Sequence, residues 1–319
     1  MLLLCSLFSA CTPSTEGFER DGEPILSDPS FQRTPPAVKE AEYVGTNQQV
    51  READGNSAVI DMTNVAQGYI AVKSTSLAES LVRVTKTSGS TSDVDDYRFA
   101  SDGTVQFLPI TRGDGTYTFD LMHRGEETAT GANYYSFLVA EATVALESEF
   151  APFLVPNIFV SYTADSSVVA KSYEIAQHAS TDLEVAQQIY YWIAGNITYD
   201  TFKAEQIKGA LLRNYTPNPD DTLAAKKGIC YDYASLAAAM LRANGIPCQL
   251  IKGDVKQGKS TLYHAWNLFW TEETGWISIK MPTSAHDWNR IDLTFVAGRG
   301  SSLSQFIGDG ENYNGLAAF

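Results

Sequence analysis

One cysteine stands where a helix should begin. Residues 226–250 read KKGICYDYASLAAAMLRANGIPCQL, an alanine-rich run that opens at Cys230, stops at Asn244-Gly245 and is followed by Pro247. Unpaired backbone N–H groups and the helix dipole favour negative charge at such a start. A thiolate there would be the nucleophile, and the same N–H groups could hold an oxyanion as a carbonyl is attacked. A thiolate needs a basic or ion-pairing partner. Of the four histidines, at 123, 178, 264 and 286, His264 in YHAWNLFW is the best placed, and His286 is the weaker rival. A histidine needs an orienting acid or amide in turn. The stretch WNRIDLTF offers Asp292. This set would perform acyl chemistry through a thioester. The bland alternatives are a small buried core cysteine and a Cys230–Cys248 disulfide.

These residues need elements to carry them. Helices are predicted over 166–179 and from the capping pattern Thr181-Asp182-Leu183-Glu184 onward. Val185, Ile189, Trp192 and Ile193 form one apolar face of the second helix, and Asn196 marks its end. The Cys230 helix buries Leu236, Met240 and Leu241 and stops at Gly245. Strands follow in CQLIKG, TLYHAWNLFW, TGWISIK and DWNRIDLTF, with Met281–His286 as a hairpin loop between the last two. In the second of these, His264, Trp266, Leu268 and Trp270 share a face. Helices followed by an antiparallel sheet predict an α+β domain over 149–319.

Ahead of it, residues 56–148 have period two. AVIDM, GYIAV, LVRVTK, TVQFLPI, TYTFDLM and YYSFLVA read as strands, with turn signals at Asp102-Gly103 and Gly113-Asp114-Gly115. This predicts a small all-β sandwich that serves as spacer or recognition module. Residues 11–55, rich in Pro, Ser, Thr, Glu and Asp, read as a flexible tether. The start MLLLCSLFSACTPSTEG resembles a bacterial lipoprotein signal: residues 1–10 would be removed and Cys11 would carry the lipid. That implies export and anchoring to the outer face of a bacterial membrane, with simple secretion as the alternative. Contact with the membrane would then be through the lipid only.

The net charge of −15 argues against nucleic acid, since phosphate binding needs clustered Lys and Arg. Four cysteines, with no C-x-x-C, make neither a disulfide framework nor a zinc pattern. The loop Asn218-Pro219-Asp220-Asp221 is too short to hold calcium by itself.

GICYDYASLAAAMLRANGIPCQL, YHAWNLFW and WNRIDLTF, in that order, resemble the transglutaminase-like superfamily of papain-like thiol enzymes, in particular bacterial lipoprotein members. Asn196–Asp200, N-I-T-Y-D, and the tail Phe306–Tyr313 add to the likeness. The resemblance spans about residues 165–300 and implies a papain-like helical half plus antiparallel sheet. It implies Cys230 as nucleophile, His264 as base and Asp292 as orienting acid, with no cofactor and a protein or cell-wall peptide as substrate. Many members place the acid four residues after the first tryptophan of the sheet. Here Lys280 stands four after Trp276, whereas Asp292 stands four after Trp288, so residues 276–287 are an inserted arm. A second functional class remains open, a non-catalytic surface binding module on the same fold.

Overall fold

The computed structural model describes residues 28–76, 78–128, 131–208, 215–257, 260–279 and 313–319. Eight strands form the first half: β1 (Gln48–Ala53), β2 (Asn56–Asp61), β3 (Tyr69–Thr75), β4 (Ser80–Ser88), β5 (Thr91–Phe99), β6 (Gln106–Pro109), β7 (Gly115–Thr128) and β8 (Gly131–Val144). They make two antiparallel four-stranded sheets, ordered β1-β2-β3-β6 and β5-β4-β7-β8. Alternate residues point inward, which is why Ile60, Ile70, Val72, Val82, Phe119 and Leu121 are buried. Two strands exceed the prediction. β1 and β5 are both sheet edges, and their polar sequences QQVREA and TSDVDDYRF carry no clear apolar alternation.

Residues 28–55 depart from the tether expected over 11–55. Arg33 N–H donates to Gln177 O at 2.8 Å, and its guanidinium pairs with Asp182. The N–H groups of Val44 and Gly45 donate to Asp61 at 3.1 and 2.7 Å, and 48–53 is strand β1. A polar, proline-rich segment is held here by hydrogen bonds rather than by a core of its own.

The second half opens with helices α1 (Ser167–Ala176) and α2 (Asp182–Asn196), the latter capped by Thr181, whose hydroxyl accepts from Glu184 N–H at 3.2 Å. There follow β9 (Thr198–Tyr199), α3 (Thr201–Lys208), α4 (Pro219–Ala225), β10 (Lys227–Gly228) and α5 (Cys230–Ala243). Last come β11 (Cys248–Gln257), β12 (Ser260–Thr271), β13 (Gly275–Ile279) and β14 (Tyr313–Ala318). The final sheet is antiparallel with order β13-β12-β11-β14. α5 lies on it, buried from Asp232 to Ala243, and Asn267 of β12 donates to Ala234 O at 2.9 Å. Five alanines in α5 let its neighbours approach closely. This is an α+β arrangement, as predicted.

Asn218–Asp221, expected as a loop, is instead the start of α4. The Asn218 side chain accepts from the N–H groups of Asp220 and Asp221, and Pro219 supplies the first helical residue. The hairpin loop 281–286 and the predicted strand DWNRIDLTF lie outside the described residues. The two halves share one apolar core. Tyr97 of β5 packs its ring 5.9 Å from Phe159 and 5.8 Å from Phe319.

Candidate active site

The start of α5 is built by its own sequence. Ile229 is extended and has no side-chain acceptor to cap the helix. Asp232 supplies the other half of a capping pair, accepting the Ile229 N–H at 2.8 Å. Asp232 is fully buried. Its second partner is Lys203, whose ammonium donates at 2.9 Å, and its third is the hydroxyl of Tyr215. Lys203 also donates to the Tyr215 oxygen at 2.9 Å, closing a triangle of three side chains.

The N-I-T-Y-D block delivers that triangle. β9 pairs in parallel with β10, Thr198 beside Lys227 and Tyr199 beside Gly228, and the Asp200 N–H donates to Gly228 O at 2.8 Å. Asp200 then accepts the Lys203 N–H at 2.9 Å and so starts α3, which points Lys203 at Asp232. Two segments far apart in sequence are thereby fastened directly ahead of Cys230.

Cys230 is half-buried, and the backbone N–H groups of Ala265 and Tyr231 bear on its sulfur. They favour the thiolate, but burial outweighs them. It pushes the thiol up to about 11, and the charge of Asp232 adds to the rise. The helix start alone therefore does not produce the low thiol pKa expected from the sequence. Tyr199 and Tyr263 both sense the sulfur. Burial first, then Cys230, pushes Tyr199 up to about 12. Tyr263 is largely exposed, at 58%.

His264 lies on β12 opposite Gly253 and is buried, with its ring 6.2 Å from Trp266. The Ala265 N–H that bears on the cysteine is the next backbone donor along, so the structure brings the segments of Cys230 and His264 together. Asp292 and Cys11 lie outside the described residues, as does His286. Cys230 and Cys248 are both free thiols, which removes the disulfide alternative. Cys248 is fully buried on β11.

Sequence reasoning missed Lys203, Tyr215 and Lys252. Lys252 lies opposite Ala265 on β11, with its ammonium 4.1 Å from the centre of the Phe159 ring, 4.3 Å from Phe319 and 5.3 Å from Tyr231. Burial pushes it down to about 8. Nothing in the local sequence marks these lysines, because their partners come from other elements. Among the described residues no group of three or more His, Cys, Asp or Glu side chains is placed to hold a metal ion. No described helix is long and apolar enough to cross a membrane.

Residues 169–281 match the model of the transglutaminase-like superfamily. The kyphoscoliosis peptidases of Homo sapiens and Mus musculus are each 31% identical to this chain, over 144 and 133 residues. These alignments cover 43% and 39% of the chain, which spans only 19% and 17% of those relatives' lengths. Among solved structures, a red sea bream transglutaminase aligns at 13% identity and a TM-score of 0.29, over 69% of this chain and 49% of that one. The helix that begins at Cys230 and the strand that carries His264 both fall inside the matched segment. Residues 169–281 of this chain are thus similar to the transglutaminase-like superfamily.

Proposed function

We propose that this protein is a thiol acyl-transfer enzyme in which Cys230 is the nucleophile, His264 the proton carrier and Asp292 the acid that orients His264. The observation that supports the reading is that β12, the strand of His264, packs on α5, the helix that begins at Cys230, with Asn267 donating to Ala234 O at 2.9 Å. The Cys230 thiol passes its proton to the His264 imidazole as the sulfur attacks a peptide or glutamine carboxamide carbon. N–H groups at the start of α5 receive the oxyanion. The C–N bond breaks, and the amine leaves with a proton from the His264 imidazolium. A second amine or a water then gives His264 its proton and attacks the thioester carbonyl. The S–C bond breaks and the thiolate returns. Water as second nucleophile gives a peptidase or amidase, the class in the name of the matched relatives. An amine gives transglutamination. The substrate would be a protein or cell-wall peptide met outside the cell, with the chain exported and held by a lipid on Cys11.

A second reading, a non-catalytic surface adaptor on the same fold, is favoured by one observation: the Cys230 thiol is pushed up to about 11. Alkylation of residues 12–319 across pH, read thiol by thiol with peptide mass spectrometry, separates the two. The enzyme reading expects Cys230 to react well below pH 7 and His264→Ala to abolish that reactivity. A Cys230 that titrates as an ordinary or raised thiol, indifferent to His264→Ala, leaves the adaptor.

A further inference from the structure

We propose that Lys203 is a positioning residue whose ammonium, clamped on the buried carboxylate of Asp232, allows Cys230 to hold negative charge; this rests on the thiol-enzyme reading above. Asp232 is two residues from the nucleophile and fully buried, with Lys203 at 2.9 Å. A bare carboxylate there would repel a thiolate through a poorly screening interior. Its oxygens also secure the start of α5 through the Ile229 N–H, so the site needs the charge and must balance it. Lys203 does so from a side chain that is still 24% exposed, so the cation keeps part of its hydration while the carboxylate has none.

Among the described residues, the other charged and titratable groups around the cysteine do not take this role. On α5 itself there is Tyr231. From β9 come Tyr199 and, behind it, Asp200, whose own cations are Lys227 at 3.3 Å and Lys203. Glu205 of α3 adds its negative charge to the surroundings of Tyr199. From β12 come Tyr263 and His264, and from β11 Asp254 and Lys252. The ammonium of Lys252 sits among aromatic rings rather than on a carboxylate. Tyr215 donates a hydrogen bond to Asp232 but carries no charge, and burial beside that carboxylate keeps its hydroxyl protonated. Tyr215 and Lys203 therefore share the work, and of these two Lys203 supplies the neutralising charge.

The test is the rate of iodoacetamide alkylation at Cys230 against pH in the full chain. Wild type is compared with Lys203→Arg, Lys203→Met and the double variant Lys203→Met/Asp232→Asn. We expect Lys203→Met to slow alkylation about tenfold at neutral pH, a rise of about one unit in the profile. Arginine should restore it, and so should the double variant, because the charge to be balanced is gone while the introduced amide oxygen can still accept the Ile229 N–H. A Lys203→Met profile that overlays wild type overturns the proposal. Cys248 reports folding, since it stays unreactive while the core is closed. Should Lys203→Met open Cys248, the double variant decides: a wild-type profile supports the proposal and a raised one overturns it. If wild-type Cys230 is itself unactivated and indifferent to His264→Ala, the enzyme reading has failed. If it is activated and Lys203→Met changes nothing, only the role of Lys203 has failed.

Discussion

A Cβ added to Gly228 would lie 2.6 Å from the Cβ of Asp232. The glycine two residues before the cysteine is thus there to admit the buried carboxylate that caps α5. Gly228→Ala should lower stability by about 1–3 kcal/mol, the usual penalty of overpacking. A drop in the urea midpoint, with Cys230 alkylation altered in the same samples, would show it. An unchanged midpoint would mean that Asp232 has room to move.

Arg242 is fully buried and donates only to carbonyls among its described partners. Its Nε and Nη2 reach Cys248 O at 3.0 and 2.7 Å, its Nη1 reaches Val155 O at 2.7 Å, and its Nη2 also reaches Phe319 O at 2.8 Å. Arg242→Met would take this donor from the carbonyls of Cys248 and Val155, each worth about 1–3 kcal/mol when left unpaired, while Phe319 O keeps the Leu250 N–H. The expected sign of this is a lower melting temperature and faster hydrogen exchange at the Leu250 and Phe319 amides, which bond to each other at 2.8 and 2.9 Å.

Burial pushes the Cys248 thiol from 9.0 up to about 12. Below about pH 9 the thiol is protonated whether the chain is folded or not, so stability there does not depend on it. Above 9 the unfolded chain ionises and the folded one does not. Cys248 therefore draws stability down as pH climbs from about 9 toward 12, by up to about 1.4 kcal/mol per unit. Urea midpoints of wild type and Cys248→Ala should differ by a constant amount below pH 9. Their gap should shift against wild type above it.

Lys252 has the opposite sign. Burial lowers its pKa from 10.5 to about 8, so the folded protein releases the proton first as pH rises. Wild type should gain stability relative to Lys252→Met between about pH 8 and 10.5, and the difference should be flat below 8. A difference that is flat across the whole range would mean the ammonium is as well solvated folded as unfolded.

Much of the architecture was legible because apolar residues repeat with the right period. The α2 face at Val185, Ile189 and Ile193 and the alternation in β3, β4 and β7 are read directly from the sequence. β1 and β5 are not, because QQVREA has no buried position and TSDVDDYRF buries only Tyr97 and Phe99 at its end, so neither shows a sustained alternation. The Asn218-Pro219-Asp220-Asp221 start of α4 carries a local signal, an N-cap followed by proline and two acids. At the proposed site, Cys230 and His264 are singled out by motif. Lys203 is not, since only the pairing of β9 with β10 turns it toward Asp232. The Cys230 pKa went the other way from expectation because burial is a property of the packed molecule, whereas a helix start can be read locally.

β14 joins its sheet beside β11, although a long stretch of sequence separates the two. Until residues 313–318 arrive, one edge of β11 stays open, with Leu250 and Ile251 waiting for partners from Ala318 and Phe319. Pairings between strands so far apart in sequence cost more chain entropy to close than local ones, and topologies of this kind fold slowly. During synthesis on the ribosome, the region around Cys230 would therefore be finished late, with an open strand edge on which one nascent chain could catch another.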